Sequence, residues 1–119
     1  MSDSDSDSGP SPVQSTTAGL ESSDVVSKYR SAADILKSVL EKLSPLVVKP
    51  GTKIIQLCKV GDALILKETS KVFTKKKDLQ KGIAFPTSIS VNNTVGHYSP
   101  LPDKDDNDAV LEDGDVVKV

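Results

Sequence analysis

Residues 81–100, KGIAFPTSISVNNTVGHYSP, decide how this chain is read. From Ile83 to Val91 the side chains alternate with the period of a strand. Ile83, Phe85, Thr87, Ile89 and Val91 point one way, and Ala84, Pro86, Ser88 and Ser90 the other. The second set is small, which predicts a helix packed closely on that face. Pro86 has no N–H to donate, so the predicted strand carries a break, a bulge or a free edge there. Asn92-Asn93 predicts a turn. Thr94–Tyr98 predicts a short return strand carrying His97, the single histidine of the chain. Further on, Glu112-Asp113-Gly114-Asp115 predicts a tight turn into a second strand, Val116–Val119, expected to be cut short where the sequence stops. An unfinished sheet would leave an edge and an apolar face uncovered, which predicts a molten or aggregating species for the isolated chain.

Before this stretch the period changes from two to 3.6. Val25, Tyr29, Ala32, Leu36, Val39 and Leu43 recur at spacings of four and three and predict an amphipathic helix over Ser23–Val47. Ser23 is the expected N-cap, and Asp24 suits the positive end of the helix. Pro45 shortens or kinks the predicted helix, and Pro50-Gly51 closes it. Thr52 is the expected cap of a second helix, about Lys53–Ser70, with Ile54, Leu57, Cys58, Gly61, Leu64 and Ile65 on its apolar face. A mid-helix glycine costs about 1 kcal/mol against alanine. Gly61 therefore predicts close packing onto a neighbouring element.

The chain has 119 residues, a net charge of −2, 3% aromatic residues and one cysteine, Cys58. This bounds it at one small domain with a thin aliphatic core and no intrachain disulfide. No apolar run approaches the ~20 residues of a membrane span. The N-terminus is acidic rather than signal-like, so a soluble intracellular protein is expected. Residues 1–22 are rich in Ser, Asp, Pro, Gly and Thr and are predicted to be a disordered acidic tail, with residues 23–119 forming the domain. Ser2 and Ser4 each have a carboxylate three positions on, the pattern of an acid-directed kinase site. A solubilising tail fits the same residues. With no secretory entry expected, the sequon Asn92-Asn93-Thr94 reads as a chance match.

Four features invite chemistry. His97 has the pKa range for proton transfer or substrate binding, with Gly96 allowing close approach, yet no motif pairs it with a nucleophile. Lys71, Lys75, Lys76, Lys77 and Lys81 lie on a basic connector that fits either a solvated link or phosphate contact with RNA, Phe73 being the one aromatic nearby. The acidic run Asp103–Asp115 lacks the spacing of a calcium loop and reads as a solvated loop. Cys58 sits on an apolar helix face and reads as a buried thiol rather than a nucleophile. One cysteine and one histidine are too few for a zinc site, and no cofactor motif is present.

Taken together, Val26-Ser27-Lys28-Tyr29, Cys58-x-x-Gly61-Asp62, Glu68-Thr69, the run Lys81 to Asn93, His97-Tyr98-Ser99-Pro100-Leu101 and Gly114-Asp115-x-Val117-Lys118 resemble the proliferation-associated proteins related to type 2 methionine aminopeptidases. The resemblance covers about Asp24 to Val119. It implies an α+β architecture, the N-terminal part of a pita-bread fold, with two helices packed on an incomplete antiparallel sheet. Peptidases of that fold hold two metal ions through two Asp, one His and two Glu. The resemblance puts the first of these just past the strand matched by Val116–Val119, so this chain is expected to carry none of them. His97 matches a histidine that lies beside the substrate rather than on the metal. The proliferation-associated branch implies a non-catalytic, growth-regulatory role with ribosomes and RNA, in the cytoplasm and also the nucleus or nucleolus. Its lysine-rich C-terminal segment is not in this sequence. A rival expectation is a piece of a metal-dependent methionine aminopeptidase.

Overall fold

The computed structural model describes residues 18–104 and 108–119. Ser2, Ser4 and most of the predicted tail lie outside the described residues, as do Asp105 and Asp106 of the acidic run. Where description begins, Ser22 N–H donates to Gly19 O at 3.0 Å and forms a local turn.

The element order is α1 (Ser23–Val47), α2 (Ile54–Thr69), β1 (Ser90–Val91) and β2 (Val117–Lys118). The strands pair antiparallel, Ser90 with Lys118 and Val91 with Val117. The architecture is α+β, two helices beside a small antiparallel sheet. Helix α1 has the predicted bounds and runs through Pro45. A proline two residues before a helix end removes one bond while the last turn can still close. The backbone cap is Ser22, not Ser23: Val26 N–H donates to Ser22 O at 3.1 Å, and no side chain caps. Thr52 is not the cap of α2 either. Its hydroxyl donates back to Lys49 O at 2.8 Å, closing the turn after α1, and Lys53 precedes the helix in extended conformation.

The predicted strand over Ile83–Val91 is reduced to its last two residues. A strand is a hydrogen-bonded pair, and among the described residues only Ser90 and Val91 find ladder partners. Pro86 could not have donated to one in any case. The packed face also differs from expectation. Ile89 is fully buried in the core and Thr87 lies on α2, while of the small face only Ser90 is buried, so burial falls on both faces at the end of the stretch rather than on the small face alone. After the Asn92-Asn93 turn, closed by Thr94 N–H to Val91 O at 3.0 Å, residues 94–98 return without forming a strand. They come alongside at a single bond, Ile89 N–H to Tyr98 O at 2.8 Å.

The core cluster is Ile54, Leu57, Cys58, Ile89 and Leu111. Each large aliphatic side chain buried this way contributes about 1.5–3 kcal/mol. Leu111 arrives from the acidic region because residues 109–111 lie antiparallel to 51–54: Gly51 N–H donates to Leu111 O, Leu111 N–H to Thr52 O at 2.9 Å, and Ile54 N–H to Ala109 O at 3.0 Å. The stripe on α1 is only half covered. Val39 and Leu43 are buried, whereas Tyr29 and Leu36 are 68% and 52% exposed.

Candidate functional site

His97 is exposed, and its backbone is left-handed, φ +62°. An L-residue with a Cβ adopts that region at a cost, so neighbouring structure must hold it there. The holding comes from Tyr98, whose N–H donates to the buried Ser90 Oγ at 3.2 Å and whose carbonyl accepts from Ile89. The imidazole then meets Phe85 edge-on, ring centres 5.2 Å apart and planes at 62°. Phe85 is itself 59% exposed, so the pair stands at the surface as a positioned ring couple. Among the described residues no group of three or more His, Cys, Asp and Glu side chains is placed to hold a metal ion.

The five lysines divide by partner. Lys71 pairs with Glu68 at 3.0 Å, and Lys42 from α1 reaches the same carboxylate at 3.2 Å. Together they hold the Glu68 carboxyl below its usual range. Lys76 pairs with Asp24 at 3.2 Å, shared with Lys28 at 3.1 Å, and its amine lies 5.7 Å from the centre of the Phe73 ring. Lys28 and Lys76 likewise lower the Asp24 pKa. Lys81 folds back onto Val72 O at 2.7 Å. Lys75 and Lys77 are exposed and have no ion pair or hydrogen bond among the described residues. No hydrogen bond, ion pair or ring contact joins any of the five to His97, so histidine and lysine cluster are separate features.

An apolar cleft of about 330 Å³ runs between α1 and the connector, floored by Ile35, Leu36, Ile65, Val72 and Phe73. Cys58 is buried, and desolvation, aided by the Asp62 charge, pushes its thiol pKa up against weaker hydrogen bonds from Ser99 and the Ile89 backbone. A thiol so placed is inert, as the sequence predicts.

Two structural residues escaped sequence reasoning. Asn92, read only as a turn former, ties the sheet: its amide donates to Asp115 Oδ1 at 2.9 Å, its carbonyl Oδ1 accepts from Val116 N–H at 3.0 Å, and its backbone oxygen accepts from Lys118 Nζ at 2.8 Å. Asp62 accepts from Thr87 N–H at 2.8 Å and fixes the segment that crosses Gly61. The adjacency of Gly61 and Asp62 was the one available signal.

The description of Metallopeptidase family M24 matches residues 27–119. This chain belongs to that family. Among M24 relatives it is 46% identical over 101 residues to ERBB-3 binding protein 1 of Arabidopsis thaliana, covering 84% of this chain and 25% of that protein. It is 46% identical over 96 residues to proliferation-associated protein A of Dictyostelium discoideum, covering 80% of this chain and 24% of that one. The solved structure of a thermophilic Arx1 superposes with a TM-score of 0.74 at 39% identity, covering 81% of this chain and 26% of that chain. The fold is therefore that of M24 proteins, the pita-bread fold, and the chain spans about a quarter of the length of the relatives it matches. Among the described residues no helix is long and apolar enough to cross a membrane.

Proposed function

We propose that this chain is part of a non-catalytic, growth-regulatory M24 protein that associates with ribosomes and contacts RNA phosphate through its basic connector. Its cytoplasmic and nuclear or nucleolar placement follows from the same reading. Similarity to a proliferation-associated protein and to Arx1 supports the branch. The observation that carries the contact is the pair Lys75 and Lys77, exposed and without ion partners on a connector whose other lysines are engaged. An unpaired lysine ammonium at the surface displaces a counterion from nucleic acid, and affinity then falls with salt by about 0.7–0.9 log units per phosphate neutralised. The test is a salt titration of ribosomal RNA binding. Changing Lys75 and Lys77 to Ala should lower affinity and reduce the slope by about 1.5. Changing Lys71 and Lys76 should do less, since their charge is already met. Equal affinity and slope in the Lys75/Lys77 variant would remove the connector from RNA binding.

The rival reading, a piece of a metal-dependent methionine aminopeptidase, draws on the positioned His97–Phe85 pair, at a place the family resemblance puts beside substrate. Metal-dependent release of Met by the complete gene product would establish it.

A further inference from the structure

We propose that Thr74 is a phosphorylation site for a protein kinase with an acidic substrate groove, and that the phosphate switches off the basic connector. The first observation is which hydroxyl is free. Thr69 Oγ1 donates to Leu66 O at 3.1 Å and Ser70 Oγ donates to Lys67 O at 2.7 Å, so both are tied back onto the end of α2. Thr74 is exposed, and its hydroxyl has no hydrogen-bond partner among the described residues.

The second observation is the turn that presents it. Lys76 N–H donates to Phe73 O at 3.1 Å, which makes Thr74 and Lys75 the inner residues of a tight turn. Phe73, which begins the turn, is held left-handed at φ +49°. That region is unfavourable for a phenylalanine and persists only while neighbouring structure imposes it. Extending the segment into a kinase groove therefore costs one backbone hydrogen bond and releases strain at Phe73. The third observation is charge. Lys71 lies three residues before Thr74, and Lys75, Lys76 and Lys77 follow it directly. An acidic groove selects a hydroxyl by cations placed on both sides of it. Lys75 and Lys77 have no ion pair or hydrogen bond among the described residues and are available to such a groove.

The step is a phosphoryl transfer. Thr74 Oγ1 attacks the γ-phosphorus of Mg-ATP, the bond to the β,γ-bridging oxygen breaks, ADP leaves, and the hydroxyl proton passes to the kinase's own base. The consequence rests on the RNA-contact reading above. The new group carries about −1.5 to −2 charge at neutral pH, enough to offset both Lys75 and Lys77. Lys75 is its neighbour, and Lys77 is three residues on, at most about 10 Å along the chain. Phosphate oxygens accept charge-assisted bonds from both amines. They compete with RNA phosphate for the ammonium groups that the connector leaves unpaired.

The test treats the full chain with the catalytic domain of protein kinase C and Mg-ATP, beside a free peptide of residues 68–80, and maps sites by mass spectrometry. Phosphate on Thr74 of the chain is expected, absent in T74V and at least about tenfold slower to appear in K75A/K77A. A modified peptide beside an unmodified chain overturns the proposal, because the fold then shields the hydroxyl. Peptide and chain both unmodified overturns it as well, because the lysines then present no readable pattern. Phosphate confined to Thr69 or Ser70 also overturns it. The phosphorylated chain should then bind a single-stranded RNA oligonucleotide about tenfold more weakly at low salt, with the salt slope reduced by about 1.5 as in K75A/K77A. Phosphatase treatment should restore both. A phosphorylated chain that binds as tightly as the unmodified one, while K75A/K77A weakens binding, overturns the switch. If K75A/K77A also leaves binding unchanged, the RNA-contact reading fails and the switch with it, and Thr74 stands as a modification site.

Discussion

Replacing Gly61 with Ala should destabilise this chain although alanine is the better helix former. A glycine-to-alanine change inside a helix gains about 1 kcal/mol through reduced backbone entropy in the unfolded chain. At Gly61 the added methyl has no room. A Cβ built there lies 2.5 Å from Thr87 Oγ1, 2.7 Å from Thr87 Cγ2 and 3.0 Å from Thr87 Cβ. Rotating Thr87 about χ1 cannot clear the clash, since with two of the three staggered positions close one γ atom always remains in one of them and the Cβ does not move. Backbone movement of the Thr87 segment is resisted by its N–H bond to Asp62 at 2.8 Å and by Ile89, buried two residues on. Overpacking of this kind costs about 1–3 kcal/mol, and the site is at the upper end because the clash is with a pinned segment. The net loss should be about 1–2 kcal/mol, the difference between the overpacking and the helix gain. Urea unfolding followed by helical circular dichroism reads it as a lower midpoint at unchanged slope. In a Thr87→Ala background the two nearest contacts disappear, and the penalty should fall by half or more. If Gly61→Ala raises the midpoint, α2 and the Thr87 segment do not approach as described.

Asn92→Ala removes the bonds to Asp115 and Val116 and puts a Cβ without its polar handle at φ +54°; a loss of about 2–3 kcal/mol is expected. Asn92→Gly should recover the backbone part alone, and early hydrogen exchange at Val116 N–H reports the loosened strand. Asp24, Glu68 and Asp115 all have folded pKa values below their ordinary ones, through Lys28 with Lys76, Lys71 with Lys42, and the Glu112 N–H with the Asn92 amide respectively. Their contribution is therefore complete above the usual carboxylate range, about pH 4, and is lost as pH falls through the lowered values. Acid unfolding of Glu68→Gln should show a flatter profile there, and an unchanged profile would mean that the pairs contribute nothing. Cys58 should resist alkylation in the native chain and react promptly in denaturant; rapid native labelling would contradict its burial.

Helix α1 was legible in its span, because its stripe is long and its period unambiguous, although the cap is one residue earlier than expected. The start of α2 was not. Thr52 has the side chain of a cap, but a hydroxyl beside two helix ends can serve either, and the carbonyl of Lys49 is the nearer partner. The strand pattern over Ile83–Val91 was legible as alternation and misread as pairing. Alternation reports which side chains are apolar, and the ladder needs a neighbour that a linear pattern does not name. Ala109-Val110-Leu111 is too short an apolar run between acidic residues to mark Leu111 as core; the pairing of residues 109–111 with 51–54 puts it there.

At the candidate site the division is similar. Residue type and spacing singled out His97 and the five lysines, and motif identity pointed to the M24 family, since both are carried by covalent order. Which lysines are spent on Asp24 and Glu68, which remain at the surface, and that His97 is held left-handed against Phe85 are consequences of residues 52, 26 and 12 positions apart coming within contact. Ion pairing and ring contact fall off over a few ångströms, and distances on that scale are set by packing, which exists only once the chain has closed on itself.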